Sequence, residues 1–230
     1  MEENKPDITA SESTIKNAIV LAIFALVSIS ATAITWVATK DRIQTEKEEA
    51  LLRAIDNLIP KEVFANDPYT DCIIVSDDQF LGTGEPRKVW RLRDVNNDPV
   101  GLIISSVAPN GYTGAIEFIA GYRIYPDSED RLAGVRVTSH QETPGLGDKI
   151  DERKSDWIYS LSDHVVTEIK EPKWLVKNDG GQFDAFTGAT ITPRALLAAI
   201  TKTTEYYRLN KEALFAAPSN CDVTDEVSND

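Results

Sequence analysis

The chain has 230 residues, 42% of them hydrophobic and 27% charged, enough for one domain of ordinary size with attached segments. A formal net charge of -13, with no basic stripe to neutralise phosphates, argues against nucleic-acid binding. Acidity itself names no partner, because solvated Asp and Glu are how an ordinary domain stays soluble.

Residues 1–16 are polar and acidic and read as a short disordered cytoplasmic stub. An uncharged apolar run follows from Asn17 to Thr39, long enough for a helix of about 20 residues to cross the ~30 Å core of a bilayer. Trp36 lies near one end, where an indole favours the membrane interface. A cleaved signal peptide is the rival reading, since Ala31-Thr32-Ala33 has the small residues of a processing site. Ile34, Trp36 and Val37 continue the run beyond that site, which favours a retained anchor. The flanking charges mildly oppose export of the larger part, with Lys5 and Lys16 before the span and Lys40, Arg42, Lys47 and Arg53 after it. The two cysteines, Cys72 and Cys221, push the other way: without Cys-x-x-Cys spacing they read as a structural disulfide of an oxidising compartment, or else as two buried thiols.

Residues 40–60 form a predicted helical connector, with Leu51, Leu52, Ala54, Ile55 and Leu58 at helical spacing and Pro60 as its stop. A domain is expected over 61–221, followed by a mobile acidic tail at 222–230. Its first part reads as strands at Cys72–Val75, Val89–Leu92, Val100–Val107, Ala115–Ile124 and Leu132–Ser139. Asn96-Asn97-Asp98 with Pro99, and Asp127-Ser128-Glu129-Asp130, are turn segments that join neighbouring strands as hairpins, hence an antiparallel sheet. A short helix at Ser155–Leu161, a strand at Trp174–Lys177 and a turn at Asn178–Gly181 come next. The last long helix, Pro193 to about Phe215, places Leu196, Leu197, Ile200, Thr203 and Tyr207 on one face. The expected class is α+β, an antiparallel sheet packed on one side against helices and preceded by one transmembrane helix.

The most informative segment is Asp184-Ala185-Phe186-Thr187-Gly188-Ala189-Thr190, directly before that helix. Its small residues let a bulky group approach the backbone, and Thr190 offers a hydroxyl. Thr192 is placed to cap a helix that Pro193 opens. A helix start aims free N–H groups and a positive dipole end at what precedes it, so a phosphate at Thr190 would be stabilised there. Taken alone, Thr187, Thr190 and Thr192 are equally well ordinary turn and capping residues.

Two further motifs change that weighting, His140-Gln141-Glu142-Thr143-Pro144-Gly145-Leu146-Gly147-Asp148-Lys149-Ile150 and Gly111-Tyr112-Thr113-Gly114. Together with Asp-x-x-Thr-Gly-Ala-Thr they resemble, in order, the FMN-binding domain family of ion-pumping respiratory complexes. The resemblance runs from the apolar span through Cys221 and is nearest to the RnfG branch of that family, from Rnf (Rsx) electron-transport complexes. The NqrC branch, from the sodium-pumping NADH:quinone oxidoreductase, shares only the flavin-binding core. The resemblance implies FMN joined to Thr190 by a phosphoester, installed by a separate transferase that uses FAD as donor. It also implies an inner-membrane protein with a cytoplasmic N-terminus and a periplasmic main domain, working beside other membrane and iron–sulfur subunits as a carrier rather than a stand-alone catalyst.

As flavin-binding candidates the motifs supply Tyr112, His140, Glu142, Thr143, Gly145, Leu146, Gly147, Lys149, Asp184, Thr187, Gly188, Ala189 and Thr190. Gly145 and Gly147 would let the backbone approach a planar ring, and Thr143 and Thr187 can hydrogen-bond to it. Asp184 reads either as an Asx turn or as part of the recognition signal for attachment. His140 reads either as a flavin contact or as a strand-end residue bonded to backbone. A metal site is not expected, since His140 and His164 are the only histidines and no ligand cluster has the usual spacing. Two other functions stay open: a tethered module binding a phosphate-bearing ligand without a covalent bond, and a threonine-nucleophile hydrolase with His140 as base.

Overall fold

Six strands follow one another in chain order across a single antiparallel sheet: β1 (Cys72–Asp77), β2 (Thr83–Arg93), β3 (Pro99–Ala108), β4 (Ile116–Arg123), β5 (Arg131–Ser139) and β6 (His164–Val165). With the helices α1 (Ile8–Leu58) and α2 (Ile191–Ala216) they give the α+β class read from the sequence. The structure, a computed structural model, describes residues 8–170 and 172–221, so the predicted tail at 222–230 lies outside the described residues.

The chain divides into two units, Met1–Ala50 and Leu51–Asp230. In the first, α1 begins at Ile8, inside the segment read as a disordered stub. Its stretch Thr14–Ile43 has a mean hydropathy of 2.4 and is long and apolar enough to cross a membrane. Leu21, Phe24, Leu26 and Ile34 are all exposed along it. The hydroxyls of Thr32, Thr35 and Thr39 donate to the carbonyls of Ser28, Ala31 and Thr35 at 2.8–2.9 Å, which satisfies them within the helix as an apolar medium demands.

In the second unit the sheet is covered on both faces, which differs from the one-sided packing expected. Strand alternation sends Leu102 and Ile104 of β3 and Phe118, Ala120 and Tyr122 of β4 to one face, where Leu196, Leu197, Ile200 and Tyr207 of α2 pack on them. Ile103 and Ile119, with Trp90 and Leu92 of β2, go to the other face and meet Ile55, Leu58 and Ile59 at the end of α1. The sheet leaves room for that end by omitting side chains: Gly121 and Gly134 oppose each other across β4 and β5. A Cβ at Gly121 would stand 3.2 Å from the Leu58 Cβ, and one at Gly134 3.2 Å from its Cδ2. Two covered faces explain why β3 is buried along most of its length rather than alternately.

Helix α2 is held at its far end by β2. The buried Arg91 guanidinium donates to the carbonyls of Leu214 (3.2 Å) and Ala217 and pairs with Asp71 at 2.6 Å. Arg93 donates to the Phe215 carbonyl at 3.1 Å and shares Asp71. These cations occupy the negative end of the helix dipole and satisfy carbonyls that have no partner within the helix. Next to them a disulfide joins Cys72 to Cys221 across a Cα–Cα distance of 5.7 Å.

Three local expectations differ from the structure. Trp174–Lys177 is not a strand: it contributes one parallel bridge, Val176 to Phe183, and a 3₁₀ turn at Lys177–Asp179. Its hydrophobic residues serve an aromatic cluster instead, with the Trp174 ring 4.6 Å from Phe183 and 4.9 Å from His164. Strand β2 starts at Thr83, ahead of the expected Val89, because Gly84 and Pro86 weaken the strand signal there. Finally, α2 starts at Ile191, before Pro193, and its N-cap is Thr190 rather than Thr192.

Candidate functional site

Two tight turns of the same design face each other at the start of α2. In Thr143-Pro144-Gly145-Leu146 the Leu146 N–H donates to the Thr143 carbonyl at 3.1 Å, with Gly145 in third place at φ 77°. In Phe186-Thr187-Gly188-Ala189 the Ala189 N–H donates to the Phe186 carbonyl at 3.0 Å, with Gly188 in third place at φ 80°. A left-handed third position is where a turn selects glycine. The turns are near neighbours, since a Cβ on Gly188 would lie 3.7 Å from the Leu146 Cδ2.

Between them opens a cleft of about 160 Å³. One wall is Glu142, Thr143, Leu146 and Gly147; the other is Gly188, Ala189, Thr190 and Ile191; Tyr112, from the turn after β3, closes a third side. Tyr112, Leu146 and Ile191 are 66%, 41% and 47% exposed, so the rim is apolar and open.

Glu142 ties these walls together. It is 4% exposed; its Oε2 accepts from the Thr192 hydroxyl at 2.7 Å and its Oε1 from the Thr113 N–H at 3.3 Å. It fits because two glycines make way for it. A Cβ on Gly147 would sit 2.6 Å from Oε2, and one on Gly111 2.7 Å from Oε1. The Thr113 hydroxyl adds a bond to the Gln141 carbonyl. Thr192 is therefore committed to Glu142 and does not cap α2. Thr190 stands at the N-cap, partly exposed in the cleft, and its side chain makes no capping hydrogen bond.

Other sequence candidates lie around the cleft rather than in it. The His140 Nδ1 accepts the Glu142 N–H at 3.1 Å, and its Nε2 lies 3.7 Å from Asp151. Asp151 is also grasped by Arg153, whose backbone N–H donates at 2.9 Å and whose Nε donates at 3.0 Å. Burial works to raise the Asp151 carboxyl, but the Arg153 hydrogen bonds and the charges of Arg153 and His140 outweigh it and hold it below its ordinary value. Asp184 is exposed; its carboxylate pairs with Lys177 at 2.6 Å, and its carbonyl accepts from the Trp157 indole at 2.8 Å. Trp157 also meets Phe186 edge to face at 5.1 Å, bracing the second turn. Thr187 and Gly145 are exposed at their turn tips, and Lys149 offers its carbonyl to the Ser155 hydroxyl at 2.8 Å. The sequence reading missed Ile191, Trp157, Lys177 and the role of Thr192. Only Ile191 carried a local signal, its place next to Thr190. Among the described residues no group of three or more His, Cys, Asp or Glu is arranged to hold a metal.

The family model described as FMN-binding domain matches residues 111–205, the stretch that contains every wall of this cleft. A second, described as RnfG N-terminal region, matches residues 4–58. The class is thus an FMN-binding domain carried behind an N-terminal helix of membrane-spanning length. The G subunit of the ion-translocating oxidoreductase complex of Pseudoalteromonas atlantica is 41% identical over 206 residues, 90% of this chain and 94% of that one. Its counterpart in Shewanella amazonensis is 44% identical over 211 residues, 92% and 96% of the two chains. The chain belongs to this family, the G subunits of ion-translocating oxidoreductase complexes. Among solved structures, the crystal structure of Shewanella oneidensis NqrC aligns with a TM-score of 0.43 at 19% identity, over 68% of this chain and 74% of that chain.

The residues present fit FMN. The lining offers a hydroxyl at a helix start, a setting that favours a phosphate, and the apolar surfaces of Leu146, Tyr112 and Ile191, which suit a flat ring.

Proposed function

We propose that this chain is an electron-carrying subunit of its membrane complex, with FMN held by a phosphoester on the Thr190 Oγ. The observation that carries this reading is the division of labour between two threonines: Thr192 is buried and bonded to Glu142, whereas Thr190 faces the cleft at the N-cap with an uncommitted hydroxyl. A phosphate on that oxygen meets the first N–H groups of α2 and the positive end of its dipole. Attachment forms the Oγ–P bond and breaks the pyrophosphate of FAD, releasing AMP, through a separate transferase. Once bound, the flavin supplies electron uptake and release, and the protein's part is to hold, orient and electrically tune it.

The two tight turns fix the cleft walls, Glu142 draws them together, and Trp157 braces the turn that carries Thr187. Asp184, paired with Lys177 at the surface, stays accessible to the transferase. The main domain is assigned to the periplasmic side, a reading supported by the Cys72–Cys221 disulfide, which suits an oxidising compartment. Its partners there and in the membrane are the other subunits of the complex, the iron–sulfur ones included.

Denaturing electrophoresis under ultraviolet light tests the linkage. Full-length chain co-expressed with a competent transferase gives a fluorescent band, and the Thr190→Ala chain gives none. Peptide mapping finds the Thr190 fragment heavier by FMN less one water. An unmodified fragment refutes the ester, and flavin that co-purifies yet leaves in detergent supports non-covalent binding in the same cleft.

A further inference from the structure

We propose that Glu142 tunes the redox potential of the group held in the cleft by placing beside it a buried negative charge that no cation pairs with. This rests on the flavin reading above and deepens it, turning a residue that shapes the site into one that tunes it.

Glu142 is the one carboxylate among the residues lining the cleft. Both of its oxygens accept, and both donors are neutral: a backbone N–H and a threonine hydroxyl. Among the described residues it forms no ion pair with a lysine, arginine or histidine. Its acidic neighbours differ in this respect. Asp151 is offset by Arg153 and His140, Asp184 by Lys177, and Asp179 by Arg194 at 2.6 Å. Asp148 is buried too, with its Oδ1 lacking a partner among the described residues, but it does not line the cleft.

A fixed negative charge beside an electron acceptor opposes reduction, and burial keeps solvent and salt from screening it. The carboxylate also has a structural reason to be where it is, because it faces the first turn of α2, whose dipole stabilises an anion. Beside the phosphate proposed on Thr190, this carboxylate therefore holds the walls together and adds a second negative charge that biases the equilibrium of whatever fills the space between them.

The test is a spectroelectrochemical titration of the full-length, flavin-loaded chain in detergent. Glu142→Gln keeps the size of the side chain and an oxygen for the Thr113 N–H while removing the charge. Its reduction equilibrium is expected to move toward the reduced form on the order of tenfold, about 59 mV upward for a one-electron step. Thr192→Val removes the hydrogen bond and keeps the charge, so its potential stays or falls. An E142Q potential equal to that of the parent overturns the proposal. A rise in T192V matching that of E142Q also overturns it, because the effect would then come from loop geometry. Loss of fluorescent label in E142Q alone assigns Glu142 to attachment rather than tuning and counts equally against it. A parent chain without label is a different outcome, the failure of the ester reading itself.

Discussion

Gly147 is the position where one methyl group tests the packing of the whole site. In Gly147→Ala the new Cβ would lie 2.6 Å from the Glu142 Oε2 and 2.7 Å from the Thr192 hydroxyl, so those two groups, now bonded to each other, must separate. Leaving a buried acceptor without its donor costs about 1–3 kcal/mol. Forcing extra volume into a packed site typically costs about 1–3 kcal/mol more. The two overlap, and a loss of about 2–4 kcal/mol is expected, a large share of the roughly 5–15 kcal/mol that holds a domain folded. No backbone term enters, since Gly147 is not among the residues with positive φ. Gly145→Ala is the matched control: it has nothing within 4 Å but a φ of 77°. Its cost is conformational, about 1–2 kcal/mol, and it should leave the cleft intact. Urea unfolding of each full-length chain in detergent gives the stabilities, and the fluorescent band reports attachment. A G147A chain as stable as the parent, or a G145A chain that loses its label while G147A keeps it, refutes the reasoning.

Two further outcomes concern the frame. Leu58→Ala empties the trough between Gly121 and Gly134 and should cost about 2–5 kcal/mol, read from the same unfolding curves; a change too small to measure would mean that the end of α1 does not help hold the sheet. Asp151, whose folded value lies below 3.8, contributes stability that is present above that value and lost as pH falls through the folded one. Asp151→Asn should therefore be less stable than the parent near neutrality, with the gap closing as the solution is acidified through 3.8; a gap that stays constant contradicts the assignment.

Where local pattern and long-range contact agreed, the sequence was legible. The central strands β3 to β5 and the buried face of α2 read correctly from apolar periodicity, because each packs on a continuous core. The glycine-rich motifs pointed to the cleft, since a third-position glycine is a local requirement of the turn it serves. What could not be read were the relations between distant segments. Thr192 looked like a cap because nothing in its own neighbourhood announces a partner fifty residues earlier. His140 carries the same motif signal as Glu142, yet its ring nitrogen Nε2 lies 3.7 Å from Asp151, which follows the 3₁₀ turn Gly147–Ile150. The second covered face was hidden for the same reason: a glycine inside a strand, such as Gly121 or Gly134, gives no local sign of the chain that packs over it.

Helix α2 resembles a beam clamped at its tail: Arg91 and Arg93, anchored on Asp71, grip its last carbonyls, and the neighbouring disulfide ties the segment just beyond it to β1. Its first turn is fixed as well, through the bond from Thr192 to Glu142. On the proposed ester reading, a group hung from Thr190 would be moored to a helix fixed at both ends within its own unit.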